Sequence, residues 1–190
     1  MKKSKVETAE TRRRIVGTAA REFRRNGIHA TGLADVMAAA GLTHGGFYRH
    51  FESKDQLVAE ACSAGMESSV ETAEAAARGR EGTGGFEAIV DKYLALAHRD
   101  DRRDGCPLAG LGSELARADD ETRAAASAGI LKLAEVLAKQ FRRRKPEVAK
   151  SDAFFALSAM VGAVTLSRIV ADPGLSAAIL RDTKRHLASV

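Results

Sequence analysis

The chain has 190 residues, of which 45% are hydrophobic and 29% are charged. This length and balance allow a substantial core and exclude an intrinsically disordered protein. Only three prolines are present, and alanine, leucine, arginine and glutamate dominate, so the composition favours an all-α fold.

The basic charge is unevenly distributed. The formal net charge is +5, and residues 1–60 contain 11 Lys or Arg against 7 Asp or Glu. A basic excess concentrated in one segment is typical of a nucleic-acid-binding surface.

No segment suggests export or membrane insertion. The basic start, MKKSKVETAETRRR, is not followed by an apolar stretch, so we expect no signal peptide. The uncharged run 153–167 has 15 residues, fewer than the roughly 20 that span a bilayer. We therefore expect a cytoplasmic protein without membrane contact, whose Cys62 and Cys106 are reduced thiols.

The first helix is predicted to run to about Asn26 and to end at Gly27, with Thr8 or Thr11 as its cap. The preceding arm, residues 1–7, is either a solvated terminus or a contact to phosphates. Six arginines lie outside the apolar stripe of this helix, where they are either solvated or in contact with the DNA backbone: Arg12, Arg13, Arg14, Arg21, Arg24 and Arg25.

Residues 31–57 contain two short helices joined by a tight turn. The first ends at Gly41, and Thr43 is a suitable N-cap for the second. That second helix carries polar side chains between Phe47 and Phe51. A glycine turn between two such helices predicts a helix-turn-helix.

The remainder predicts further helices. Ser53 caps one that runs towards Arg78, and the glycine-rich run 77–85 breaks the pattern. Later helices are expected at about 86–98, from Pro107, at about 121–144 with Asp119 or Asp120 as the cap, from a Ser151 or Asp152 cap, and at 175–188. We expect about nine helices in two parts, a helix-turn-helix DNA-binding domain over 1–53 and a larger regulatory and dimerisation domain over 54–190.

The helix after Asp152 is apolar around most of its circumference. Such a helix must be buried on all sides. In a chain this small, we expect a second copy to supply part of that burial.

The helix-turn-helix resembles that of the TetR family of transcriptional regulators. The resemblance depends on these residues: Thr31, Leu33, Ala34, Val36, Ala39, Gly41, Leu42, Thr43, Gly45, Tyr48, His50, Phe51, Lys54 and Leu57. It implies a homodimer, joined through its last two helices, that binds a palindromic double-stranded DNA operator and responds to a small-molecule effector. No cofactor is implied.

The resemblance also implies roles for individual residues. Thr31 and Thr43 are expected at phosphates and as caps, and His44, Gly45 and Gly46 at base edges. Phosphate contacts are implied for Tyr48, His50 and Lys54, while Arg49 could contact a base or a phosphate. No nucleophile elbow, phosphate loop or metal motif points to an enzyme. A DNA-binding regulator controlled by a protein partner, with no small-molecule site, is the alternative.

Cys106 is the candidate redox or effector residue. Pro107 at a first helical position makes Cys106 the expected N-cap, where the helix dipole, Arg102 and Arg103 would lower the pKa of its thiol. The segment 105–115, GCPLAGLGSEL, resembles the branch of N-ethylmaleimide-responsive repressors that sense electrophiles and oxidants. The alternative is a half-buried structural cap. Cys62 is expected to be an unreactive core residue.

A non-covalent pocket is the other candidate sensor. Six apolar residues could line it or could belong to the plain core: Met66, Phe86, Tyr93, Phe141, Phe155 and Met160. The five histidines are scattered, so no metal site is predicted.

Overall fold

The computed structural model describes residues 5–80, 84–141 and 144–189, and these residues form ten helices and no strand. The predicted all-α fold is confirmed, with one helix more than expected. The helices are α1 (Lys5–Asn26), α2 (Leu33–Ala39), a 3₁₀ helix (His44–Arg49), α3 (Lys54–Ala77), α4 (Gly84–Tyr93), α5 (Leu96–Asp100), α6 (Pro107–Leu115), α7 (Asp120–Ala138), α8 (Pro146–Ile169) and α9 (Pro173–Leu187).

Several predicted helix ends are confirmed. Ser53 caps α3 by accepting a hydrogen bond from the Gln56 amide (3.1 Å), and Asp119 caps α7 through the Thr122 amide (2.9 Å). Gly27 follows α1 with a positive φ of 91°. These ends depend on side chains or glycines local in sequence, which is why the sequence predicts them.

Other ends were predicted wrongly. α1 includes residue 5, so Thr8 and Thr11 lie inside it, and the Thr11 hydroxyl donates to the Glu7 carbonyl (2.7 Å). Residues 1–4 of the predicted arm lie outside the described residues. α7 ends at Ala138 rather than near residue 144.

The predicted helix at 86–98 is two helices, α4 and α5. The His98 Nδ1 atom lies 2.6 Å from the Tyr93 carbonyl oxygen. The side chain thereby satisfies a carbonyl that a continuous helix would have bonded to the amide of residue 97.

α8 begins earlier than predicted. Its first residue is Pro146, a favoured first-turn residue, so neither Ser151 nor Asp152 is the cap. The Asp152 carboxylate instead forms an ion pair with Arg144. α9 begins at Pro173, where Asp172 accepts from the Leu175 amide (2.6 Å).

The core is centred on α3 and α7. A Cβ added at Gly129 on α7 would lie 2.5 Å from the Cβ of Met66 on α3, so a side chain there would push the helices apart. α3 also packs against α1 and α4, and α7 packs against α8. α3 therefore joins the N-terminal helices to the rest of the molecule.

α8 is long and apolar enough to cross a membrane by length and composition alone. It packs against α6, α7 and α9, with Ala153, Met160 and Val164 buried in the core. On its other side Phe155 is 60% exposed and Ile169 is 71% exposed. α8 therefore has one side in the core and another with exposed apolar side chains.

Candidate DNA interface and sensor cavity

The 3₁₀ helix presents most of the predicted DNA-contacting side chains to solvent. Its Phe47 is buried and stacks on Phe51, with 5.4 Å between ring centroids. This anchor leaves four neighbours exposed: Thr43, His44, Tyr48 and Arg49. The exposed set can donate and accept hydrogen bonds along one short helix, as contact with DNA requires.

The two glycines of this helix differ in their surroundings. A Cβ at Gly45 would meet nothing within 4 Å, whereas one at Gly46 would lie 3.6 Å from Met37 on α2. Gly46 therefore faces the protein, and the open side of Gly45 is available for close approach of another molecule.

Thr31 and Lys54 have intramolecular partners in this structure. The buried Thr31 hydroxyl donates to the Gly27 carbonyl (2.6 Å). The Lys54 ammonium donates to the carbonyls of Ile28 and Thr31, at 2.7 Å each. Both side chains hold the loop between α1 and α2, and their predicted phosphate contacts stay predictions. His50 is half-buried beside Phe51.

Three of the six α1 arginines have partners within the protein. Arg12 forms an ion pair with Glu60 and lies over the Phe51 ring (4.2 Å to the centroid). Arg21 pairs with Asp104 (2.8 Å). The Arg24 side chain is only 7% exposed, and its Nε donates to the Arg103 carbonyl (2.6 Å). The sequence did not distinguish these arginines from those that face solvent.

The loop between α5 and α6, residues 101–106, contacts α1 through charged side chains. Asp104 accepts from Arg21 and lies 3.8 Å from Arg24. Arg103 pairs with Glu22 of α1 at 2.9 Å. The sequence shows a charged turn here, RDDRRDG, but did not predict that it contacts α1.

A second contact joins α6 to the helix-turn-helix. The Glu114 carboxylate accepts from the amides of Ile28 (2.8 Å) and His29 (3.1 Å), just after α1. A Cβ at Gly27 would lie 3.0 Å from that carboxylate, so glycine also gives it room. Nothing in the sequence near Glu114 indicated this partner.

Cys106 is the N-cap residue of α6, as predicted, with Pro107 in the first helical position. It is buried, and its amide donates to His98 Nε2 (3.1 Å). Because Nε2 accepts, the His98 proton lies on Nδ1, which faces the Tyr93 carbonyl. Burial lowers the pKa of His98, which favours this neutral form.

Two partly buried guanidinium groups interact with Cys106. Burial lowers the pKa values of Arg24 and Arg168, and Cys106 raises both in part. The predicted influence of Arg102 and Arg103 on Cys106 stays a prediction. Arg168 of α8 donates to the carbonyls of Arg99 (2.8 Å) and His98 (3.1 Å). Burial raises the pKa of the Cys62 thiol to about 11, so Cys62 is protonated at neutral pH.

Cys106 lines a cavity of about 70 Å³. The lining also contains Tyr93 and Met160, two of the six predicted pocket residues, and Asp104 of the α5–α6 loop. The apolar part of the lining includes Ile89, Leu133, Leu137 and Leu157, and the polar part includes Ser69, Thr72, Lys92 and His98.

The other four predicted pocket residues lie elsewhere. Met66 is buried against Gly129. Phe86 and Phe141 pack against each other, with 4.8 Å between ring centroids. Phe155 lines an open groove between α8 and α9 with Leu175. Within the described residues, no group of three or more His, Cys, Asp or Glu could hold a metal ion.

Comparisons with known proteins match both parts of this architecture. The family model for bacterial regulatory proteins of the tetR family matches residues 15–61. A second model, the LmrA/YxaF-like transcriptional regulator C-terminal domain, matches residues 83–183, more than half of the chain. The chain belongs to the TetR family of transcriptional regulators.

Individual TetR relatives agree over nearly the full length. An HTH-type transcriptional regulator of Mycobacterium tuberculosis is 32% identical over 172 residues, covering 85% of this chain and 86% of the relative. A TetR regulator from Chloroflexus aurantiacus has a solved structure with a TM-score of 0.80 and 32% identity, covering 96% of this chain and 94% of its own.

The reduced form of Escherichia coli NemR has the same fold, with a TM-score of 0.78, covering 95% of this chain and 96% of its own. Its identity is only 17%, so this likeness shows the fold alone. The predicted TetR membership is confirmed, whereas the predicted electrophile-sensing branch stays a hypothesis.

Proposed function

We propose that this TetR regulator is a cytoplasmic homodimeric repressor that binds a palindromic operator and releases it when a small molecule occupies the cavity beside Cys106. One observation carries the proposal. Asp104 lines that cavity and also pairs with Arg21 on α1, 2.8 Å away. An occupant that moves the α5–α6 loop therefore acts directly on the helix that supports the helix-turn-helix.

In this proposal residues 1–53 bind DNA and residues 54–190 sense and dimerise. His44, Gly45 and Arg49 contact base edges, and Thr43 and Tyr48 contact phosphates, because these residues are exposed. Gly46 allows the 3₁₀ helix to pack closely on α2. His50, which is half-buried, contacts DNA at the edge of this exposed surface. Thr31 and Lys54 act by holding the loop between α1 and α2.

The apolar residues exposed on α8 and α9 support the dimer. Phe155, Leu166, Ile169 and Leu175 are each more than half exposed, which is unfavourable unless a partner covers them. A second copy on this face would give the dimer two 3₁₀ helices with which to contact one duplex. Half-sites about one helical turn apart then form a palindrome.

Operator selection tests the DNA-binding part of the proposal. Duplexes bound from a random pool are expected to converge on a palindrome. Arg49→Ala should weaken binding to it by roughly 5- to 150-fold, since a good arginine–base contact contributes about 1–3 kcal/mol of discrimination. Arg117→Ala, which removes an exposed cation distant in sequence, should leave binding unchanged. Binding without sequence preference would contradict the proposal.

Modification of Cys106 is the second candidate trigger. Its supporting observation is that Cys106 lines the cavity. Addition of N-ethylmaleimide would form a carbon–sulfur bond, with the thiol proton passing to the imide ring carbon. The added bulk in a cavity of about 70 Å³ would displace the α5–α6 loop.

The matched cysteine variants separate this trigger from a non-covalent one. N-ethylmaleimide is expected to release the operator from the wild type and from Cys62→Ser, with one adduct on Cys106 by mass spectrometry. Cys106→Ser should stay bound. Equal release of Cys106→Ser would exclude the covalent trigger. Control by a protein partner would be favoured if neither reagents nor small molecules alter binding.

A further inference from the structure

The Tyr93 hydroxyl is a buried polar group without a hydrogen-bond partner among the described residues. Tyr93 lines the cavity next to Cys106. Burial, followed by the nearby Cys106, raises the pKa of Tyr93 well above its ordinary value, so the hydroxyl keeps its proton. A protonated phenol is a hydrogen-bond donor, and a buried donor is costly to leave unpaired.

The neighbouring polar groups do not accept this proton. Cys106 raises the pKa of Tyr93 partly through a side-chain interaction with its hydroxyl, but the two groups do not reach hydrogen-bond geometry, and a thiol sulfur is a weak acceptor. The hydroxyls of Ser69 and Thr72 donate to carbonyls of their own helix, at 3.1 and 2.8 Å, and neither accepts from Tyr93. His98 Nε2 accepts from the Cys106 amide.

The rest of the lining favours an uncharged occupant. Six apolar side chains line the cavity: Ala73, Ile89, Leu133, Leu137, Leu157 and Met160. The two charged lining residues, Lys92 and Asp104, are exposed, and Asp104 pairs with Arg21. A charged group next to them would lose its hydration without full compensation. A water molecule needs two to four polar partners, which a lining dominated by apolar side chains supplies poorly.

We propose that the cavity binds a small, uncharged, mostly apolar molecule with one carbonyl oxygen, which accepts a hydrogen bond from the Tyr93 hydroxyl. The carbon skeleton packs against the leucines and Met160. At about 70 Å³ the cavity suits a compact molecule of few heavy atoms, because a cavity of roughly 150 Å³ holds benzene. That such a ligand controls DNA binding rests on the proposed function, whereas the binding of the ligand to the cavity does not.

Two probes of nearly equal shape test the proposal on the full-length protein. Acetone offers a carbonyl oxygen, and 2-methylpropene replaces that oxygen with a CH₂ group; both are smaller than benzene. Affinities are measured by ligand-detected NMR for the wild type and Tyr93→Phe. Acetone should bind the wild type about 3- to 10-fold more tightly than Tyr93→Phe, the loss expected for one neutral hydrogen bond. 2-Methylpropene should bind both proteins equally.

Three outcomes would overturn the proposal. Acetone could bind both proteins equally, as it would if the Tyr93 hydroxyl were hydrogen-bonded to water instead. Both probes could lose affinity equally in Tyr93→Phe, which would indicate a packing effect. The third outcome is that neither probe binds the wild type. If other small molecules still released the operator from Tyr93→Phe, the ligand class would be wrong while the proposed repressor function would stand.

Discussion

Phe155→Asp is expected to make the protein monomeric and to lower operator affinity by roughly 100-fold or more. Phe155 on α8 is 60% exposed and lines a groove with Leu175 of α9, which is 53% exposed. In the proposed dimer a second copy covers this groove, where a carboxylate would lose hydration without a partner. Loss of the dimer removes the second half-site contact, whose linkage commonly contributes 10²- to 10⁴-fold.

Sedimentation velocity and a gel-shift on the selected operator measure the two effects together. Val148→Asp is the matched control, because Val148 is also exposed on α8 (46%) but does not line the groove. The control should remain dimeric and bind normally. A Phe155→Asp protein that remained dimeric would place the interface elsewhere, and a monomer with full affinity would contradict the need for two half-sites.

The local signals in the sequence predicted the helix-turn-helix and several helix ends. Ser53 and Asp119 are caps within three residues of the amides they bind. Gly41 has a positive φ of 71° after α2. Pro107 fixes the start of α6 after Cys106. Each of these features depends on neighbours in the chain, so no tertiary information was needed.

Features that depend on distant contacts were not predicted. The break between α4 and α5 involves the His98 ring and the Tyr93 carbonyl. Arg24 looked like its neighbouring arginines, yet its side chain is buried against the α5–α6 loop. A sequence pattern shows which helix face a residue occupies but not which element covers that face.

The same limit applies to the cavity. The apolar pattern around the whole of α8 predicted that this helix is buried. The pattern could not show which side packs against its own chain and which side is exposed. Met160 therefore lines the cavity while Phe155, five residues earlier, faces outward. The polar groups of the site were even harder to predict. In the sequence Asp104 and Glu114 look like ordinary surface acids, and only the fold brings α1 and the residue that follows it into contact with them.

We expect substitution of Glu114 to change both the free energy of unfolding and the effector-induced release of the operator. α6 begins at the cavity, where Cys106 is its N-cap, and carries Glu114 near its other end. Since the Glu114 carboxylate holds the amides of Ile28 and His29, a shift of α6 moves the loop that leads into α2. α6 therefore offers a direct path from an occupant of the cavity to the helix-turn-helix.

Glu114→Ala is expected to lower the free energy of unfolding by about 1–3 kcal/mol, because it leaves the partly buried Ile28 amide without its acceptor. It should also weaken effector-induced operator release at least 10-fold, while operator affinity without effector changes less. Glu114→Gln keeps one carbonyl oxygen as an acceptor, so its losses should be smaller on both measures.

Urea unfolding and operator release across an effector titration measure these changes. Glu135→Ala removes an exposed carboxylate on α7 and should behave as the wild type. Coupling through α6 requires the three variants to rank in the same order in both assays, since one contact carries both effects. If Glu114→Ala lost stability but released the operator normally, the signal would have to pass through Asp104 and Arg21 instead.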